Sequence, residues 1–377
     1  MQHASTARSN SAILRAELAK SVSDVQRRHI VPNAIITGTG GYVPPRVVTN
    51  DDLRTQYGID TTHEWIHQRT GIEERRYADE GVGSADLGYE AAKVALARAN
   101  KSIRDMDAII FATLSPEHMF PGSGVFMQRK FAELFEGDMP KFIPAIDIRA
   151  QCSGFLYGLA TAGSFVQAGA YKNVLVVGAE THSAALDFTT RGRTVTSLFG
   201  DGAGAAVVSA TEDPSRGLRK WILGSDGRGA EHLSMRIMDI RKRPFIPLPE
   251  GKDGAARVEA DMLWPQMDGK QVFRNAVERM CQSLMQVCFE MQLSADDIDL
   301  FCFHQANMRI NQYVANTLGI PESKLIHNIH KYGNTTAATI PLLLWEAEET
   351  GRLKPGMKVA MVGFGAGFTW GAAIMDW

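Results

Sequence analysis

The sequence predicts an α/β protein, and three observations carry that prediction. Short runs rich in Val and Ile alternate with helical stretches from Ala34 onward. These runs are apolar nearly throughout, as strands buried on both faces require. The β-α-β order of the first half broadly returns in the second, which predicts two similar halves rather than unrelated domains.

Strands are predicted at Ala34–Gly38, Asp107–Thr113, Phe142–Ile148, Val174–Gly178 and Ala203–Ser209. A second series covers Leu218–Gly224, Leu300–His304, Val359–Gly363 and Thr369–Met375. Helices are predicted at Ser84–Asn100, Gly122–Phe135, Ser153–Gly169, Gly269–Gln292, Asn307–Leu318 and Thr336–Thr350. Their stops are visible: Gly169, Gly319-Ile320-Pro321 and Gly351 cannot continue a helix cheaply. The chain therefore divides into an arm over 1–32, a half over 33–214 and a half over 215–377. The second half carries a loop-rich insertion over 235–265, with Arg241-Lys242-Arg243 and four prolines. The arm is basic and places Leu14, Leu18, Val22 and Val25 at helical spacing. It reads as an amphipathic arm packed on the body, with an organelle transit peptide as the alternative.

With 377 residues and a net charge of −2, the chain is neither disordered nor a polycation built for nucleic acid. The longest charge-free stretch, Ala150–Tyr171, is long enough to span a bilayer. Its Gln, Ser, Thr and Gly content marks it as a buried segment, so no membrane span is expected. Four cysteines without a CxxC pair predict no disulfide scaffold, no structural zinc and a cytoplasmic location. Gly is in excess, at 35 residues against about 26 expected. Gly38-Thr39-Gly40-Gly41 runs into Pro44-Pro45 and not into a helix, so it is no dinucleotide-binding turn.

A buried cysteine is most often inert packing, and Cys281, Cys288 and Cys302 read that way. Cys152 differs. It follows a strand and opens a small-residue helix, where free N–H groups and the helix dipole favour a thiolate. His304 closes a strand, where a histidine is as often a core group as a catalyst. Asn334, in Tyr332-Gly333-Asn334-Thr335-Thr336, would by itself be a helix cap. Together the three supply what thioester chemistry needs: a thiolate, an imidazole and a neutral amide donor. Gly363-Phe364-Gly365-Ala366-Gly367-Phe368, between two strands, is either a plain hairpin turn or a backbone N–H donor for an oxyanion.

These residues resemble the thiolase-fold condensing enzymes, and specifically the β-ketoacyl-acyl-carrier-protein synthase III family. The likeness runs from about residue 33 to the C-terminus. It rests on Asp147…Cys152-Ser153-Gly154-Phe155, Phe199-Gly200-Asp201-Gly202-Ala203-Gly204, His304-Gln305-Ala306-Asn307, Gly333-Asn334-Thr335-Thr336-Ala337-Ala338 and Gly365-Ala366-Gly367-Phe368-Thr369-Trp370-Gly371. The resemblance implies a duplicated thiolase-like fold in five layers, αβαβα, working as a cytoplasmic homodimer. It implies that Cys152 takes an acyl group from acyl-CoA, a substrate and not a resident cofactor, and that no metal is used. The N–H groups of Cys152 and Ala366 would form the oxyanion hole. His304 and Asn334 would bind the malonyl-carrier-protein thioester and promote its decarboxylation, and His304 would also help deprotonate Cys152. Trp65, Arg69 and Arg193 match CoA-binding positions, with Trp65 and Arg193 on the two faces of adenine. Phe120 matches a residue that reaches across the dimer to gate the acyl pocket. Arg274 and Arg309 match basic positions that dock acyl carrier protein.

The chain also departs from the family. Arg149 and Gln151 stand where small residues are usual, Asn316-Thr317 where lysines often stand, and residues 235–265 are longer by about twenty. That loop either reshapes the acyl pocket, docks another partner, or is simply solvated. The alternative to a decarboxylative condensing enzyme is a related acyltransferase that passes the acyl group to an oxygen, nitrogen or carbon nucleophile.

Overall fold

The computed structural model describes residues 32–133, 142–237, 241 and 263–377. All but Pro32 of the predicted arm, and most of the predicted insertion over 235–265, lie outside the described residues.

The chain runs through β1 (Asn33–Tyr42), β2 (Val47–Thr49), α1 (Asn50–Thr55), α2 (His63–Thr70), β3 (Glu74–Arg76), α3 (Ser84–Arg98) and β4 (Ala108–Ala112). It continues with α4 (Ser123–Glu133), β5 (Ala145–Ile148), α5 (Gly154–Gln167), β6 (Asn173–Glu180), α6 (Arg193–Thr196) and β7 (Gly202–Thr211). The second series is β8 (Gly217–Ser225), β9 (Leu233–Ser234), β10 (Gln266–Met267), α7 (Gly269–Glu290), β11 (Leu300–Phe303) and α8 (Met308–Thr317). It ends with α9 (Ile329–Tyr332), α10 (Thr339–Glu349), β12 (Lys358–Gly365) and β13 (Thr369–Asp376).

The first sheet has the order β1-β7-β6-β4-β5. Its first two pairings are antiparallel and its last two parallel. The second sheet has the order β8-β13-β12-β11, antiparallel, antiparallel, then parallel. Position for position this repeats β1-β7-β6-β4. The fifth place, held by β5 in the first sheet, is a single parallel bridge from Phe301 to Leu325 in the second.

Helices α5 and α10 lie between the sheets. Phe155, Leu159, Ile340 and Leu343 share one buried cluster with Val176 of the first sheet and Met361 of the second. Outside the first sheet, Ala91, Ala95 and Met127 of α3 and α4 pack on β4, β6 and β7. Outside the second, Met280, Leu284 and Val314 of α7 and α8 pack on β11 and β12. The result is the five-layered αβαβα arrangement of the duplicated thiolase-like fold.

Most boundaries shift by one to three residues from those predicted, and two of the shifts have a clear cause. The first strand runs on through Gly38-Thr39-Gly40-Gly41 to Tyr42, because these glycines serve contact and not a turn. A Cβ at Gly38 would stand 2.4 Å from the Ala95 carbonyl oxygen, and one at Gly40 would stand 2.2 Å from that of Ala91. The excess glycine thus lets α3 lie directly on the sheet. The strand predicted from Phe142 begins only at Ala145, because Pro144 has no N–H for the ladder and Phe142 is 98% exposed.

Candidate active site

Gln151 has φ +46°, unusual for a residue with a side chain, and turns the chain out of β5 into a 3-10 turn over Gln151–Ser153. Cys152 stands in that turn, buried, at the head of α5. Gly154 lets the turn descend between the halves: a Cβ there would lie 3.0 Å from that of Ala112 and 3.2 Å from that of Ala337.

The β12–β13 hairpin closes over the cysteine. A Cβ at Gly365 would fall 2.8 Å from the Cys152 nitrogen and 2.9 Å from its Cβ, so only glycine fits. That approach sets Ala366 beside Cys152, and the Ala366 and Cys152 N–H groups and the Thr336 hydroxyl each favour the thiolate. Sequence reasoning left the glycine run between a plain turn and an oxyanion donor, and the structure lays that run directly over Cys152.

His304 follows β11 and is 2% exposed. Its Nδ1 lies 2.6 Å from Thr339 Oγ1, while its Nε2 is buried without a hydrogen-bond partner among the described residues. Asn334 precedes the turn into α10, and its Oδ1 accepts the Thr336 N–H at 2.8 Å. That bond turns the Asn334 NH₂ toward the cavity it lines with His304 and Cys152. The three residues picked from sequence therefore meet in one place.

The thiolate expected from the helix position is not what the site favours when empty. Burial pushes the Cys152 thiol up to about 12, and the neighbouring Glu180 carboxylate adds to the rise. The N–H bonds from Cys152 and Ala366 oppose this and lose. Burial likewise pushes His304 down to about 3, so it is neutral. Thiol and imidazole thus rest as an uncharged pair. Glu180 is itself wholly buried and pushed up to about 7 by desolvation. It accepts bonds from the Thr113 and Ser115 hydroxyls at 3.1 and 2.6 Å, and from the Leu114 and Ser115 N–H groups.

Two cavities meet at Cys152. One, of about 330 Å³, leads outward past His304, Asn334 and Phe199 to Trp65 and Arg69. The other, of about 380 Å³, lies beyond the sulfur and is walled by Leu114, Leu186, Leu233 and Ala366, with Arg149 and Gln151 adding polar groups. At the outer mouth, the Arg69 and Arg193 guanidiniums stand 4.5 and 5.0 Å from the Trp65 ring centre. Arg193 also donates to the Asp60 carbonyl at 2.8 Å. A planar base entering between Trp65 and Arg193 requires Arg193 to turn outward.

Comparison with known proteins gives the family. Residues 146–227 match the family model 3-oxoacyl-[acyl-carrier-protein (ACP)] synthase III, and residues 288–377 match its C-terminal counterpart. A β-ketoacyl-[acyl-carrier-protein] synthase III of Listeria welshimeri is 40% identical over 345 residues, covering 92% of this chain and 99% of that protein. The chain belongs to the 3-oxoacyl-[acyl-carrier-protein] synthase III family. It is accordingly an acyl-transferring condensing enzyme. The Geobacillus kaustophilus synthase III is also 40% identical, over 91% of this chain and 98% of its own length. Among solved structures, the synthase III of Aquifex aeolicus superposes with a TM-score of 0.80 at 37% identity, covering 91% of this chain and 100% of that one.

The remaining family positions lie away from the sulfur. Phe120 is 81% exposed and lines neither cavity of its own chain. Arg274 and Arg309 are exposed at the outer rim, beside the cavity-lining Phe273 and Ile310. No described helix is long and apolar enough to cross a membrane. Among the described residues no group of three or more His, Cys, Asp or Glu could hold a metal ion. Three residues near the centre, Thr339, His182 and Glu180, went unnoticed in the sequence, and Thr336 was quoted only as part of a motif. The hydroxyls gave no signal because threonine is a common turn residue, and the other two stand at the end of an ordinary apolar strand.

Proposed function

We propose that this synthase III relative catalyses acyl transfer from acyl-CoA to Cys152, followed by decarboxylative condensation with malonyl-acyl-carrier protein. The observation that supports it most is the meeting of the two cavities at Cys152, the outer one lined by Asn334 and by His304 with its unpartnered Nε2, the inner one by Ala366.

In the first half-reaction the phosphopantetheine arm threads the outer cavity, with Trp65, Arg69 and Arg193 holding the nucleotide end. The Cys152 sulfur attacks the thioester carbon, and the oxygen receives the N–H groups of Cys152 and Ala366. The C–S bond to CoA breaks, the Cys152 proton ends on the departing CoA sulfur, and the acyl chain lies in the inner cavity. In the second, the malonyl thioester oxygen accepts from His304 Nε2 and the Asn334 NH₂. Carbon dioxide leaves, and the enolate carbon attacks the acyl-enzyme while the same two N–H groups hold its oxygen. Cys152 leaves as a thiolate and takes one proton from solvent. The reaction uses oxyanion stabilisation twice, each donor worth about 3–4 kcal/mol.

The enzyme acts in the cytoplasm as a homodimer, with halves meeting near residue 214. Phe120 gates the partner's inner cavity, and Arg274 and Arg309 guide the acidic carrier protein. Intact-protein mass spectrometry against a panel of acyl-CoAs tests the reading. Addition of malonyl-acyl-carrier protein is expected to discharge the adduct with stoichiometric release of carbon dioxide. Discharge to a small-molecule acceptor without carbon dioxide would replace condensation by simple acyl transfer.

A further inference from the structure

We propose that the inner cavity takes an acyl chain whose far end carries a carboxylate, and that Arg149 is the residue that selects it. This deepens the reading above and rests on it, since Cys152 must be the acylated residue for the chain to lie in that cavity.

The inner cavity, of about 380 Å³, has Leu114, Leu186 and Leu233 in its wall and would suit a plain alkyl chain, except that Arg149 also lines it. Among the described residues that line this cavity, Arg149 is the one that carries a charge. His182 lines it too, but burial pushes that imidazole down to about 3 and it stays neutral. Gln151 adds an amide donor to the same wall. Arg149 comes directly after β5 and Gln151 sits at φ +46° in the turn that follows, so one bend of the chain brings both to the cavity. These are the two positions beside Cys152 where small residues are usual in the family. A small residue there leaves the wall to hydrocarbon, whereas Arg149 supplies a guanidinium.

No carboxylate among the residues lining the cavity neutralises this cation. Asp147 stands two residues earlier and feels the Arg149 charge, but its oxygens accept the Ser123 N–H at 2.6 Å and the Gly124 N–H at 2.9 Å. Glu180 is held by the Thr113 and Ser115 hydroxyls at 3.1 and 2.6 Å. Neither of the two lines the cavity.

Arg149 is exposed, so water serves its charge while the cavity is empty. An alkyl chain filling the cavity displaces part of that water and returns no hydrogen bond. A carboxylate at the chain end offers two oxygens to the planar guanidinium fork, and the Gln151 amide can donate to it as well. The selection acts on the end of the acyl group that does not react, so the bonds made and broken at Cys152 are those already described. Three residues of chain span at most about 11 Å, so a guanidinium so near the nucleophile reads the end of a short acyl group, of about four to six carbons.

The test follows acylation by rapid-quench intact-protein mass spectrometry, with CoA thioesters paired by carbon number: succinyl against butyryl, glutaryl against pentanoyl, adipyl against hexanoyl. The parent is expected to favour the carboxylated member of at least one pair about tenfold in kcat/KM. Arg149→Leu is expected to cut that ratio about 30-fold, by slowing the carboxylated thioester and speeding the alkyl one. Arg149→Lys, which keeps the charge and loses the fork, falls between the two. Melting temperature identifies a variant that has failed to fold, and Arg149→Gln then takes the place of Arg149→Leu. A parent that favours the alkyl member of every pair, or takes no member of any, would overturn the proposal. So would a carboxylate preference that survives in Arg149→Leu and Arg149→Gln. Labelling of Cys152→Ala would instead sink the function proposed above.

Discussion

The two halves build the same turn and use it differently. In the first half Gln151, at φ +46°, opens a 3-10 turn that leads into α5. In the second Thr336, at φ +50°, opens a 3-10 turn that leads into α10. Cys152 stands one residue after the first of these strained residues, and Asn334 stands two before the second. The sheets behind them share one strand order. The frame is present twice, and the reaction proposed above divides the chemistry between its copies. In that reaction one copy offers the sulfur and the other offers the donors.

That division can be broken one half at a time. The largest effect belongs to the second half: His304→Ala or Asn334→Ala is expected to slow condensation about 10²–10³-fold. Acylation of Cys152 should fall far less, and quenched-flow measurement of each step checks this. Equal losses in both steps would mean the halves do not divide the work.

The next effect belongs to the hairpin that joins the halves. Gly365→Ala places a carbon 2.8 Å from the Cys152 nitrogen and must push the Ala366 N–H away from the sulfur. Acylation is expected to fall about 30-fold, with about 1–3 kcal/mol lost in stability by denaturant titration.

A third prediction concerns charge. Because the Cys152 thiol is pushed up to about 12, its alkylation by iodoacetamide should climb about tenfold per pH unit from 7 to 10 without levelling. A plateau near neutrality would show a resident thiolate. The smallest effect lies at the mouth. Trp65→Ala should raise the KM for acyl-CoA about tenfold, or about 1.4 kcal/mol, and leave discharge of the acyl-enzyme unchanged.

Much of this was legible in the chain. The alternation of Val- and Ile-rich strands with helices, and the return of the same order, exposed the duplicated frame. Cys152, His304 and Asn334 were legible because each stands at the end of a strand or the start of a helix, where α/β folds expose side chains. The positive φ of Thr336 was not, because a backbone outlier leaves no pattern in residue types. The charge state of Cys152 was misjudged for a related reason. Helix position can be read from sequence, whereas complete burial beside Glu180 follows from packing between distant segments. The extension of β1 through its glycines was hidden too, since only the path of α3 across them shows that they serve contact.

The central claim is that the acyl group passes through the first half's cysteine. Intact-protein mass spectrometry of the parent and of Cys152→Ala, each incubated with the same acyl-CoA panel, tests it most directly. The account predicts a single acyl adduct on the parent and none on Cys152→Ala. Equal labelling of the two proteins would contradict it.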